Sequence, residues 1–239
     1  AYPSKRDDLN DGTGRNSKKE CVLPDVMLSS LKRINPAIEE DKIKEIVKTL
    51  RQDYTGTDIV DTNYKLYRQI RNNIKITVRR NGKEGFDFVK LIDFEHPENN
   101  TFTAVSQMWI QGKVYYRRPD ILIFVNGMPL VFIELKNSIV KIEEAYNKNL
   151  QDYLRDIPNL FAFNQICVLS NGLVTKLGAF KATYDYFFEW LKVDSEKEKL
   201  DREAIHLAEN VKDSSIRYFV DGLLNKARLI DYIENFILF

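Results

Sequence analysis

At 239 residues, with 44% hydrophobic side chains and only 10 Gly and 7 Pro, the chain has the composition of a folded protein with a substantial core. Its 36 Lys and Arg against 35 Asp and Glu leave a net charge of +1, which excludes diffuse polycationic attraction to DNA and confines any nucleic-acid surface to a local basic patch. Cys21 and Cys167 lack C-x-x-C spacing, no apolar run reaches the roughly 20 residues of a membrane span, and no signal peptide is seen. These features predict a soluble cytoplasmic protein with no membrane partner.

Residues 4–20 are polar and carry Gly12 and Gly14, which predicts an irregular arm. Gly12-Thr13-Gly14 ahead of Lys18-Lys19 lacks phosphate-loop spacing, and no strand precedes it. From Leu23 to Leu50 the apolar spacing is helical. Asp25 or Ser29 is the expected cap of a first segment, and Asn35-Pro36 the break. A second helix is expected from Glu39 through Gln52, with Ile43, Ile46, Val47 and Leu50 on one face. A β-rich block follows. Ile74–Val78 alternates, turns at Asn81-Gly82 and returns through Phe86–Ile92 as a hairpin, and Phe102–Ile110 reads as one further strand.

Two apolar runs then flank Asn126-Gly127, one from Arg118 to Val125 and one from Met128 to Lys136. A helix is predicted from about Lys141 to Arg155, then a strand over Ile166–Leu169, a turn at Asn171-Gly172 and a return through Leu173–Ala179. Tyr184 to Phe239 is expected to be mostly helical, with Glu196-Lys197-Glu198-Lys199 as a solvated face. An opening without Met and an apolar close at Phe236-Ile237-Leu238-Phe239 suggest a piece of a longer protein. The order predicts one mixed α/β fold, a central mixed β-sheet flanked by helices. Its expected parts are an arm over 1–20, a core over 21–183 and a helical segment over 184–239.

Chemistry concentrates at the outer ends of the two central strands. Asp120, Glu134 and Lys136 are costly to keep on buried strands unless they are paired or hold a metal. Asp120, Glu134 and the carbonyl of Leu135 make an oxygen set suited to Mg²⁺, and Lys136 suits orienting or deprotonating water. The competing reading is a structural ion pair at the sheet edge. Register separates the two. A plain two-residue turn at Asn126-Gly127 would pair Asp120 with Ile133 and send Glu134 to the other face. A three-residue loop, made believable by Pro129, would pair Phe124 with Met128 and put Asp120, Glu134 and Lys136 on one face. The nuclease reading expects the shared face. Lys113, Tyr115, Tyr116, Arg117 and Arg118 just upstream form a candidate DNA surface, against the alternative of an edge strand kept soluble by charge. His96 and His206 are the only histidines, too few for a histidine-ligated metal centre, and both read as structural.

Several segments together resemble the N-terminal nuclease domain of the restriction (R, motor) subunit of type I restriction–modification enzymes. They are Leu91-Ile92-Asp93-Phe94, Pro97-Glu98-Asn99-Asn100, Arg118-Pro119-Asp120-Ile121, Val125–Leu130, Phe132–Asn137, Asp156–Phe161, Ser170-Asn171-Gly172 and Leu229–Phe236. The resemblance covers roughly residues 20 to 239 and implies a restriction-endonuclease-like PD-(D/E)xK core over 21–183 with Asp120, Glu134 and Lys136 as its site. It implies Mg²⁺ as cofactor, double-stranded DNA as substrate, and modification and specificity subunits as partners. ATP would act only through motor domains lying beyond the helical segment 184–239; no Walker motif occurs here. Two departures stand out. The family's Gln-x-x-x-Tyr element maps to Asn149 and Tyr153, with Gln151 two residues from the Gln position, and both positions are candidate DNA contacts. The helix that usually precedes the arm, which can bear an acid supporting the metal, is missing. Two alternatives follow: a non-catalytic DNA-gripping or docking module of the same subunit, and a stand-alone structure-selective nuclease.

Overall fold

A computed structural model describes residue 6 and residues 8–80, 82–190 and 215–237. Among these, no helix is long and apolar enough to cross a membrane. The chain forms a six-stranded mixed sheet with helices on both faces, a restriction-endonuclease-like α/β architecture.

Three helices come first: α1 (Pro24–Ile34), α2 (Glu40–Leu50) and α3 (Ile59–Asn72). The sequence reading anticipated α1 and α2 but passed over α3. Asp58 starts α3 by accepting hydrogen bonds from the backbone N–H groups of Val60 and Asp61, and Leu66, Tyr67 and Ile70 bury its inner face. Neither Asp25 nor Ser29 caps α1; Leu23 takes that position without a side-chain bond. A two-stranded ribbon, β1 (Ile74–Arg80) and β2 (Lys83–Val89), follows as expected. The predicted strand Phe102–Ile110 is broken. β3 (Phe102–Ser106) ends at Gln107, whose φ of 52° turns the chain, and β4 (Ile110–Gln111) pairs separately with β5 (Tyr116–Arg117).

β6 (Ile121–Val125) and β7 (Met128–Leu135) are the central hairpin. The crossover from β7 is a helix that begins as α4 (Ile142–Glu144), widens to π geometry over Ala145–Leu150 and ends as α5 (Gln151–Asp156). β8 (Ile166–Ser170) returns parallel to β7, β9 (Thr175–Gly178) turns back from it, and β10 (Phe188–Glu189) closes the edge. The sheet order is β10-β9-β8-β7-β6-β3. Residues 184–190 hold a short 3-10 turn and β10 instead of the expected helix. Helices α6 (Ser215–Gly222) and α7 (Lys226–Asn235) meet the expectation for the C-terminal part, while the run at 196–199 and His206 lie outside the described residues.

Side-chain alternation splits the interior in two. Val131, Ile133, Ile166 and Val168 pack with α1–α3 and α7 on one face; Leu122, Phe124, Phe132, Cys167 and Leu169 pack with the π segment and α5 on the other. Both cysteines are buried free thiols, and burial pushes that of Cys21 up to about 12.

Two polar knots fix this arrangement. The first holds the β6–β7 turn: Asn126 donates to the carbonyl of Leu91 and to Oδ1 of Asn100, and accepts from the backbone N–H of Thr101. Asn100 in turn donates to the Asp93 carbonyl. On the other side of the turn, Gly127 accepts a 2.8 Å hydrogen bond from the N–H of Leu23, seating α1 against it. The second knot anchors the irregular arm. Asp11 binds Arg15 (3.0 Å), Lys18 and Thr13, and Arg15 reaches the carbonyl of Trp109 at 3.0 Å. Asn159 ties the arm to the β4–β5 hairpin by donating to the carbonyls of Lys19 and Gln111.

Two outcomes follow. Gly127 has φ +81°, and a Cβ there would stand 2.6 Å from the Leu23 carbonyl oxygen, so Gly127→Ala is expected to destabilise the fold by about 2 kcal/mol or more. A urea titration with no shift in midpoint would contradict it. Burial works to raise the Asp11 carboxyl, but hydrogen bonds from Lys18 and Thr13 and the Arg15 charge outweigh it and hold it at about 2, below its ordinary 3.8. A depressed carboxylate contributes stability above its unfolded value and loses it as pH falls through the folded one. Stability measured from pH 3.8 downward should therefore fall towards pH 2 by about 2 kcal/mol, and Asp11→Asn should be destabilised at neutral pH with that limb flattened.

Candidate functional site

The shared face expected of Asp120, Glu134 and Lys136 is present, but by a different device from the expected three-residue loop. Val125 pairs with Met128 across a two-residue turn whose residues, Asn126 (φ 48°) and Gly127 (φ 81°), are both left-handed. That turn alone would put Asp120 and Glu134 on opposite faces. Phe124 pairs with Pro129 but Ile123 with Val131, so Leu130 is an extra residue. The bulge shifts the register by one, and Ile121 pairs with Ile133. Continuing that register sets Asp120 opposite Glu134. Pro129 suits this spot because it has no N–H to lose, and the Leu130 carbonyl accepts from the N–H of Gln165 at 2.8 Å.

Glu134 and Lys136 therefore lie at the C-terminal end of β7 on the face covered by α5, with Asp120 just ahead of β6. Glu134 is 3% exposed. Its Oε1 accepts from Lys136 Nζ at 2.8 Å, while its Oε2 is buried with no hydrogen-bond partner among the described residues other than the adjacent Tyr153 hydroxyl. Asp120, half-buried, accepts from the backbone N–H of Leu135 at 2.8 Å through Oδ2. A residue in an extended strand sends its N–H and C=O to the same edge, so the Leu135 carbonyl faces the Asp120 side. Burial, reinforced by the nearby Asp120 charge, raises the Glu134 carboxyl above its usual range despite Lys136. An ion pair with Lys136 would satisfy only one of the two Glu134 oxygens.

Tyr153 is buried on α5, its ring edge-on to Phe132 with centroids 5.2 Å apart and its hydroxyl donating to the Arg118 carbonyl at 3.2 Å. Burial, and then the Glu134 charge beside it, push its phenol well up. Asn149 is half-buried in the π segment. π-Helical turns inside helices recur at functional sites, and this one leads into the turn that sets Tyr153 against the site.

The basic residues diverge. Lys113, Tyr115 and Arg118 are exposed, with the Arg118 guanidinium 5.2 Å from the Trp109 ring centroid. Arg117 is tied down by Asp156 at 2.5 Å and Asp152 at 3.3 Å, and Tyr116 lies under Arg6. Sequence reasoning missed the role of Asp156, buried and bridged also to Arg155, which fastens the β4–β5 hairpin to α5. Its signal was its position one turn past Asp152 on the same helix.

Residues 2–186 match the family model described as the type I restriction enzyme R protein N terminus. The chain belongs to that family. It is 33% identical over 229 residues to the type I restriction enzyme HindI endonuclease subunit of Haemophilus influenzae, covering 94% of this chain and 21% of that protein. MjaIXP of Methanocaldococcus jannaschii is 32% identical over 244 residues, with 94% and 22% covered. The type I restriction enzyme EcoprrI endonuclease subunit of Escherichia coli is 29% identical over 160 residues, with 63% and 46% covered. The chain thus spans about a fifth of the length of HindI and MjaIXP.

A carboxylate whose folded-state pKa is raised contributes stability that is lost as pH climbs from its unfolded value of 4.5 through the folded one. Glu134→Gln removes that charge and is expected to be at least as stable as wild type at neutral pH, by up to about 1 kcal/mol. Thermal melts at pH 5 and pH 8 should show wild type losing ground to the variant at the higher pH; the reverse order would mean the Lys136 pair holds the site together.

Proposed function

We propose that this chain is the DNA-cleaving domain of a type I restriction enzyme R subunit, hydrolysing phosphodiester bonds in double-stranded DNA with Mg²⁺. The observation that carries the reading is the pair of opposed carboxylates, Asp120 and Glu134, with a buried Glu134 oxygen beside which, among the described residues, stands only the Tyr153 hydroxyl, already donating to the Arg118 carbonyl. A divalent cation is the partner such an oxygen lacks.

Asp120, Glu134 and the Leu135 carbonyl would hold the ion, which when bound supplies charge to polarise a phosphoryl oxygen and to acidify water. The remaining work falls to the chain itself. Lys136, 2.8 Å from Glu134, orients water at the site and offsets negative charge developing on the phosphate. Tyr153 walls the site through Phe132 and steadies the Arg118 backbone two residues before Asp120. Exposed Lys113 and Arg118 offer phosphate contacts on the approach to the site, and Asn149 and Tyr153 carry the family's amide–tyrosine element. Arg117 contributes by holding the hairpin that presents them.

In the longer proteins of this family the ATP-dependent motor, and contacts with modification and specificity subunits, would lie in the four fifths that this chain does not span. Metal binding tests the reading more cleanly than cleavage does, because an isolated domain need not cut. Calorimetric titration of Mn²⁺ into wild type should give one saturable site that Glu134→Ala abolishes and Asp120→Asn weakens at least tenfold. Equal heats in wild type and Glu134→Ala, with both proteins folded, would remove the metal from this site.

A further inference from the structure

The β1–β2 ribbon lies outside the six-stranded sheet and buries only one of its faces. Ile74 and Ile76 pack on the helical core. The opposite face carries Lys75 paired with Phe88, Thr77 with Phe86, and Arg79 with Glu84, and all six of these side chains are exposed. Phe86 and Phe88 are 61% and 58% exposed, an unusual placement for two phenylalanines one alternation apart on a single strand. The rings stand about 7 Å apart along β2, far enough for each to carry its own base.

We propose that this open face is a binding platform for single-stranded nucleic acid, separate from the carboxylate site. The sequence Gly85-Phe86-Asp87-Phe88-Val89 has the Gly-aromatic-x-aromatic-Val spacing by which sheet-type single-strand readers set two rings on one open face, with Glu84 and Asp87 standing where that pattern has a cation and a small residue and Leu91 where it has a third aromatic. Unpaired bases stack on such rings whatever their identity, whereas bases inside a duplex have no free face to offer.

Charge complements the rings. On the face that carries the rings, Lys75 and Arg79 stand against Glu84, while Arg80, Lys83 and Asp87 belong to the opposite face. Arg79 pairs with Glu84 at 3.1 Å, while Lys75 has no carboxylate partner among the described residues. The Lys75 ammonium rests 3.7 Å from the Phe86 ring centroid. A base that stacks on Phe86 displaces this ammonium towards the phosphate that the base carries, so one movement serves both contacts. A protein ligand would find little apolar surface here beyond the two rings, because Lys75, Thr77, Arg79 and Glu84 make up the rest of the face.

The test uses the whole chain in EDTA, with fluorescein-labelled oligo-dT and oligo-rU of about 15 nucleotides read by anisotropy. Wild type is expected to bind at least one of them, more weakly as salt rises from about 50 to about 200 mM. Phe86→Ala/Phe88→Ala, which truncates only exposed side chains and should keep the wild-type melting temperature, is expected to bind about thirtyfold more weakly or worse. No binding of either oligonucleotide by wild type, equal binding by the folded double variant, or equally effective competition by a blunt duplex of the same length would each overturn the proposal. Glu134→Ala should bind as wild type does, which separates this surface from the proposed nuclease centre.

Discussion

Everything at the candidate site depends on one extra residue in β7. The Asn126-Gly127 turn and the pleat together dictate which side chains of β6 and β7 share a face, and without the Leu130 bulge the two acids would be separated by the sheet itself. The bulge is secured at both ends. Pro129 has no N–H to strand, and the freed Leu130 carbonyl is taken by the segment leading into β8. Leu130 and Val131 both turn into the core under α1–α3, so the irregularity costs little apolar burial. A bulge beside a functional constellation is a device for aiming a side chain, and the side chain aimed here is Glu134.

The turn ahead of the bulge is held with comparable care. Asn126 is completely buried and spends its amide on Leu91, Asn100 and Thr101, so two segments distant from it in sequence converge on a turn of two residues with left-handed backbone. The segments Leu91–Phe94, Pro97–Asn100 and Val125–Leu130, which carry much of the family resemblance, are thus one structural knot and not three pieces of catalytic apparatus. The arm works similarly on the other side of the molecule. Its Asp11, Arg15 and Lys18 are buried among themselves, and they grip the β4–β5 hairpin from which Arg117 and Arg118 project.

Much of this was legible from residues alone, for identifiable reasons. Alternation and the Asn-Gly turn announced the central hairpin, and strong apolar spacing announced α1, α2 and the crossover helix. The face shared by Asp120, Glu134 and Lys136 was also expected, yet from the wrong loop. Sequence reports the turn residues, but a bulge arises from what Gln165 and Asn164 offer to the Leu130 carbonyl, which no local pattern records. Helix α3 was overlooked because its buried face includes Asn63 and Tyr67, polar by type, with Asn63 spent on the carbonyls of Phe161 and Asn164. The break at Gln107 was hidden by an apolar run continuing on both sides of it. Arg117 looked available for phosphate because its partners, Asp152 and Asp156, lie some 40 residues away on another element.

The buried acids allow a comparison within the molecule. Four carboxylates are buried among the described residues: Asp11, Asp93, Glu134 and Asp156. In Asp11 and Asp93 burial works upward, but donors overcome it and both are lowered; Asp156 is lowered outright, by Arg155 first and then by Arg117. Each of these three is surrounded by enough protein donors to be a finished structural element. Of the four, Glu134 alone is raised, and it alone keeps an oxygen with no hydrogen-bond partner among the described residues beyond the neighbouring Tyr153 hydroxyl. A fold that supplies donors so fully to three buried acids withholds them from the fourth, at the one place where a second carboxylate and a strand-edge carbonyl converge. That asymmetry is the ground on which we propose a site prepared for a ligand over an ion pair that merely closes a sheet edge.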